Sequence, residues 1–273
     1  MGHLATERPL NIMSKKENKF IKKRFNKNTY KDVDYFLLGA WNFKKEKHRI
    51  ETYSEAKKSF LYEIFQKITL NARNEFFNLF LVNNNYSKYK SVIDIGSTPS
   101  IEKEQNTFLE NTKDNQNVTC LSNQDCRILQ KKYKNIKNVI IGDAKNTMLE
   151  KDSFEIVHSN ATIEHVGSFE NQVSFVKEML RISKESIFIQ TPNRLYPIDF
   201  HTILPFIHWL PKKIHRKILK FLKKDFFSKE ENLNLLTTKE LKKICEILNI
   251  KKYKILKHKL FYLTSNLILV IYK

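Results

Sequence analysis

From Ser91 to the carboxyl terminus, short apolar runs rich in β-branched residues alternate with segments of helical periodicity. No other feature of the chain restricts its fold so strongly. "SVIDI" (91–95), "VTCLS" (118–122), "NVIIGD" (138–143), "FEIVHSN" (154–160) and "ESIFIQT" (185–191) each read as a buried strand. Between them lie helical patterns around 102–110, over "NQDCRILQKKY" (123–133) and over "FENQVSFVKEMLRI" (169–182). A further helix, "TTKELKKICEILN" (237–249), opens on a threonine suited to capping. Strand–helix–strand units of this length make parallel neighbours and a sheet covered on both faces. The closing runs "KKYKILKH" and "SNLILVIYK", joined by "KLFYLT", predict an antiparallel hairpin at one edge.

Ahead of that α/β pattern, "SEAKKSFLYEIFQKITLNARNEFFNLFL" (54–81) spaces its apolar residues by three and four, predicting a helical lead-in over 54–83. Residues 1–53 read as a basic arm, with Met13 a candidate natural start and 1–12 an added leader. The methyl-bearing, aromatic-rich remainder (41% hydrophobic and 12% aromatic in all) is sufficient for one folded domain over 54–273. Three cysteines, Cys120, Cys126 and Cys245, form no disulfide framework and no metal-binding pair, which points to a reducing, cytoplasmic setting. No apolar run is long enough to span a bilayer.

In a doubly wound sheet, ligands meet the loops after the carboxyl ends of the strands. Here those loops carry "DIGSTPS" after the first strand, "GDA" (142–144) after the third and "SNATIEHV" (159–166) after the fourth. A strand-end carboxylate such as Asp94 or Asp143 accepts hydrogen bonds from a hydroxyl or an amine, and Gly96 allows close backbone approach. Asp94-Ile95-Gly96 is equally readable as a plain turn. Neither glycine-rich phosphate loop pattern is present, which disfavours NAD, FAD and ATP.

Taken in order, "VIDIG", "VTCLS", "IIGDA", "FEIVHSNATIEHV" and "SIFIQTPNR" resemble a class I S-adenosylmethionine-dependent methyltransferase. The likeness is to the type-11-like bacterial small-molecule subgroup and covers about Ser91 to Lys273. It implies a Rossmann-like fold: a mostly parallel seven-stranded sheet with an antiparallel edge strand, a helical N-terminal extension and an insertion after strand 5. It also implies S-adenosyl-L-methionine as cofactor, with Asp94, Gly96 and Ser97 lining its methionine end. Asp143 and Ala144 are expected at the adenine, and Ser159 and Asn160 near the sulfonium. Where the family places a ribose-gripping acid, this chain has Ser122, with Asp125 nearby. Relatives that hold a metal have a glutamate where this chain has Ala161, so no metal is expected.

The stretch between the fifth strand and the next helix, within 192–236, is an insertion placed to cover an acceptor site. Glu164, Asn193, Arg194, Tyr196 and His201 are the expected acceptor-binding groups, and His165 or His201 the expected general base. Each histidine is also readable as a structural group, and Arg194 as an ion-pair partner of Asp199. From Pro211 to Lys224, Ile214, Ile218, Leu219, Phe221 and Leu222 define one apolar side among lysines. This helix is read either as a lid packed on the domain or, with 206–210, as an element lying on an anionic membrane. The net charge of +20 favours an anionic partner, although part of it is compositional bias in a chain with only 5 glycines. The leading expectation is methyl transfer to a small-molecule or lipid-linked acceptor, a glycan among them, at the inner membrane face or in the cytoplasm. An RNA methyltransferase is disfavoured because no RNA-binding module is recognisable, and a catalytically inactive scaffold is the remaining alternative.

Overall fold

A computed structural model describes residues 60–101 and 105–273, with side chains from Leu70 onward. The basic arm and the start of the lead-in lie outside the described residues. Seven strands form one sheet: β1 (Val92–Ile95), β2 (Val118–Ser122), β3 (Ile136–Ile141), β4 (Phe154–Asn160), β5 (Ser183–Pro192), β8 (Tyr253–Leu260) and β9 (Leu263–Tyr272). Their order is β3-β2-β1-β4-β5-β9-β8. β1 to β5 run parallel, β9 is antiparallel to both its neighbours, and β8 is the edge strand. Among the described residues six α-helices accompany them: α1 (Phe60–Asn83), α2 (Thr107–Asn111), α3 (Leu129–Lys132), α4 (Phe169–Ile182), α5 (Lys212–Phe221) and α6 (Thr238–Ile247). Two minor strands, β6 (Ile198–Asp199) and β7 (Leu204–Pro205), pair with each other inside the insertion.

Alternation along the strands divides the interior into two cores, because successive side chains leave opposite faces of a sheet. Ile93, Ile95, Val157, Ile187, Ile189 and Leu269 face one way, against Phe175 and Met179 of α4 and Leu241 and Ile244 of α6. Val92, Ile156, Phe188, Ile268 and Val270 face the other way, against Phe76 and Phe80 of α1 and Phe108 of α2. The second core is aromatic: the Phe80 ring meets Phe108 and Phe188 edge-on at 5.1 and 5.5 Å between centroids. α6 begins with a full capping box, the Thr237 hydroxyl accepting from Glu240 N while the Glu240 carboxylate accepts from Thr237 N.

Several boundaries differ from the sequence reading. The third strand is 136–141 rather than 138–143, so Gly142-Asp143-Ala144 falls wholly in the turn beyond it. The helix expected over 123–133 contracts to α3, because the Asp125 carboxylate accepts from Arg127 N and holds that segment in an Asx turn. The segment 102–110 contributes a helix over Thr107–Asn111 alone among the described residues. The closing hairpin turns on two residues, Phe261 (φ 50°) and Tyr262 (φ 66°), so both strands run two residues closer to the turn than expected. No helix among the described residues is long and apolar enough to cross a membrane.

Phe80→Ala is expected to lower unfolding free energy by about 3–5 kcal/mol, since Phe80 is fully buried in the aromatic core. Thr237→Ala, which loses only a helix cap, is expected to cost about 1 kcal/mol. Urea denaturation of both variants checks the ranking.

Candidate active site

The strand order reverses direction between β1 and β4, and the loops after these two strands meet there. Asp94 is 6% exposed and points into the aromatic core, on the same face as Val92. It pairs in register with His158 of β4, whose Nδ1 lies 2.6 Å from Asp94 Oδ1, the ring N–H donating. The other carboxylate oxygen accepts from the Ser97 hydroxyl at 2.8 Å. The His158 ring is stacked against Phe108, centroids 3.7 Å apart and 10° from parallel, and lies near-parallel to Phe188. Asp94 is thus anchored by protein groups on both oxygens, each of which keeps a further lone pair. The sequence reading passed over His158; its place four residues into β4, directly across from Asp94, is the signal that finds it.

Gly96 adopts φ 97°, and a Cβ there would stand 2.0 Å from Thr162 Oγ1. Its small size is used against the loop after β4, which packs on its Cα. Thr162 donates to Ile95 O, and the Ser159 hydroxyl does the same at 3.0 Å, stitching the two loops together. Among the described residues, Thr98 Oγ1 and Asn160 Oδ1 of these loops are buried without a hydrogen-bond partner. Ser122 is buried at the end of β2 and accepts from Gln124 N. Asp125 is bound side-on by the Arg127 guanidinium, whose hydrogen bonds hold its carboxyl down to about 2. Asp143 is largely exposed and accepts from the backbone and the ammonium of Lys145. Partial burial raises its pKa, but the Lys145 hydrogen bonds and charge bring it below the ordinary range. Ala144 sits beside it, packed against the α4/α6 core.

A second cluster lies where the β4 loop meets the insertion. Glu164 is fully buried; Oε2 accepts from Thr191 Oγ1 at 2.9 Å, and Oε1 has no hydrogen-bond partner. Oε1 stands 3.7 Å from His165 Nε2 and 3.9 Å from His201 Nε2. His165 Nδ1 donates to Asn232 O at 2.7 Å, and His201 Nδ1 donates to Asp199 Oδ1 at 3.0 Å. Asp199 is further held by the His201 backbone N–H and by both donors of Thr202. Burial lowers His165 well below the ordinary histidine value, with His201 adding to the effect. Burial also opposes charge on His201, yet the bond to Asp199 and the nearby carboxylates raise it. Glu164 is raised by burial and Asp199 is held low by its histidine and threonine donors, despite burial. One carboxylate and two imidazoles within 4.8 Å are also a donor set suited to a divalent cation. The expectation of no metal stands on Ala161, a position outside this trio.

The remaining acceptor candidates have structural employment. Arg194 does not pair with Asp199: its guanidinium donates to His208 O at 2.9 Å and Leu210 O at 2.7 Å, clasping the insertion. Asn193 Nδ2 donates to Thr264 O, linking the insertion to β9. Tyr196 is buried and stacked on Phe200, and burial raises its hydroxyl pKa. The sequence reading also left Thr191 unassigned, although it ends the inward-facing run of β5.

These residues accommodate the expected cofactor. Asn160 Oδ1 and Thr98 Oγ1 are buried without a protein partner, an acceptor and a hydroxyl of the kinds that the ammonium and carboxylate of an amino-acid end would use. At the expected ribose position Ser122 offers one hydroxyl where a carboxylate would offer two acceptors. His158→Phe keeps the ring stack but removes the donor to Asp94. It is expected to cost about 1.5–3 kcal/mol of stability and to weaken S-adenosylhomocysteine binding about tenfold or more in calorimetric titration. Gly96→Ala is expected to do both, through its clash with Thr162.

The methyltransferase domain family matches residues 106–188, from the start of α2 into β5. No curated protein matches the chain. Among solved structures, magnesium protoporphyrin IX methyltransferase of Synechocystis PCC 6803, with SAH bound, superposes with a TM-score of 0.53 at 10% identity, covering 94% of this chain and 99% of that one. A SAM-dependent methyltransferase of Methanosarcina mazei gives 0.47 at 13% identity, covering 71% of this chain and 96% of that one. The likeness of fold rests on the first of these. With the family match running through α4 and β4, and the loops after β1 and β4 meeting at the switch point, the chain has the Rossmann-like fold of class I S-adenosylmethionine-dependent methyltransferases.

Proposed function

We propose that the protein methylates a hydroxyl on a small-molecule or lipid-linked acceptor, with His201 as general base. The supporting observation is the Asp199–His201 pair set against buried Glu164 at the carboxyl ends of β4 and β5. S-adenosylmethionine, held by the loops after β1 to β4, supplies an electrophilic methyl on a positively charged sulfur. Asp94, Ser97 and Asn160 orient that end, and the apolar surroundings exclude water. A hydroxyl acceptor must lose a proton as its oxygen forms the new bond to carbon. His201 Nε2 takes that proton while Nδ1–H remains bonded to Asp199, which stabilises the cation formed. Glu164 Oε1, close to Nε2, shares the charge. His165 is less suited to the task, because burial and the neighbouring imidazole hold it neutral and weakly basic.

A base works only when deprotonated, so activity should rise with pH through a His201 pKa above the ordinary histidine value. Asp199→Asn removes the charge that raises it, and the limb should move to lower pH with a lower plateau. His201→Ala is expected to reduce kcat about 10²–10⁴-fold with S-adenosylhomocysteine affinity unchanged. Methyl transfer from labelled cofactor to fractionated cell extracts supplies the assay. Activity lost to a chelator and restored by a divalent cation would overturn the base and assign the cluster to a metal.

A further inference from the structure

The insertion places aromatic and basic side chains outward in a way that packing within the chain does not explain. The five apolar residues from Ile214 to Leu222 were expected to form one apolar side of α5, either packed on the domain or turned to a membrane. The structure divides them: Leu219 is buried with His215, Ile218 is half-buried, and Ile214, Phe221 and Leu222 are exposed. Within α5, Ile214, Lys217 and Phe221 recur at spacings of three and four, so they form one outward line on a helix of 3.6 residues per turn, with exposed Leu210 just ahead of it. Lys213 and Lys220 border that line.

Phe221 is 85% exposed, and Phe206, Trp209 and Leu210 are exposed in the turn just before the helix. Phe206 holds a left-handed backbone at φ 60°, a strained conformation for an aromatic residue, fixed by its N–H donating to Pro197 O. Its ring meets Trp209 edge-on at 4.8 Å. The Trp209 indole N–H donates to Tyr196 O, so the polar edge of the ring is satisfied from within. Exposed Ile198 and Pro205 pair beside Phe206 and widen the apolar tip.

The cations of α5 sort by face. Lys212 and Arg216, toward the domain, are paired with Glu240 and Glu230. Among the described residues no carboxylate lies within ion-pair distance of Lys213, Lys217, Lys220 or Lys223. An apolar line bordered by unneutralised lysines matches a surface that is negatively charged outside and apolar beneath. We propose that the outward face of α5, with the Phe206–Leu210 turn, docks on an anionic lipid bilayer. A flexible polyanion such as RNA would use the lysines but leaves the aliphatic and aromatic line unexplained, and a second copy of this chain would bring like charges together.

The full-length protein is sedimented with vesicles of phosphatidylcholine alone and of phosphatidylcholine mixed with phosphatidylglycerol. Binding is expected to the mixed vesicles and to weaken with salt. Two variants test the two halves of the surface: Trp209→Ser with Phe221→Ser, and Lys213→Glu with Lys217→Glu and Lys220→Glu. Each is expected to lower partitioning at least about tenfold, with melting temperature and S-adenosylhomocysteine affinity unchanged. Three results would overturn the proposal: no partitioning of the unaltered protein, undiminished partitioning of both variants, or RNA binding that the lysine variant alone abolishes while vesicles are ignored. Concentration-dependent dimerisation lost in the aromatic variant would assign the face to a second copy instead. Because the readout is partitioning rather than turnover, failure here leaves the methyl-transfer assay standing, and failure there leaves this one standing.

Discussion

A carboxylate placed in an aromatic core must be paired or it cannot stay there, and Asp94 is so placed. Its partner, His158, is delivered by strand register rather than by any local motif, because β1 and β4 set residue 94 opposite residue 158. The imidazole is then fixed by Phe108 and Phe188 on its two sides. This arrangement couples three things that would otherwise be independent: the aromatic packing of α1 and α2, the β1–β4 seam, and the position of the first ligand loop. Ser97 and Gly96 follow from it, one bonding the free side of the carboxylate and the other yielding space to Thr162.

The second cluster rests on a different device. Segment 232–234 runs back beneath the β4 loop and bonds it repeatedly: Asn232 O accepts from His165, Asn234 N donates to Glu164 O, and Asn234 Nδ2 donates to Gly167 O. Gln172 of α4 closes the ring by donating to Ile163 O and Asn234 O. A polar latch of this kind fixes backbone without spending the side chains of Glu164 and His201. Those remain 3.9 Å apart, burial raising the pKa of Glu164 and the bond to Asp199 raising that of His201.

Much of this architecture was legible in the residues. Strand–helix alternation and the order of the loops disclosed the sheet, and "SNATIEHV" and "DIGSTPS" marked the loops that meet. What was not legible depends on alignment between segments distant in sequence. His158 looked like an ordinary strand residue because periodicity reports a face and says nothing of the residue opposite. Arg194 looked like an anion binder because its partners are backbone carbonyls, which leave no compositional trace. The α3 region was overextended because a hydrogen bond from Arg127 N to the Asp125 carboxylate outcompetes helix there. Helical periodicity in 211–224 was read correctly as amphipathic, but a stripe does not reveal that its two edges part company on packing.

The insertion then joins the two proposed roles, which physics would place apart. Its early part sends His201 into a buried polar cluster with Asp199 and Glu164, where desolvation sharpens electrostatics. Its later part carries an exposed aromatic tip and a basic helix. The Arg194 guanidinium holds these halves in register by gripping the carbonyls of His208 and Leu210, the residues that flank Trp209. A rigid link of that sort suits the proposed roles, in which the docking surface and the His201 base keep a fixed separation. A lid free to move as a loop would not need its arginine turned inward on its own backbone.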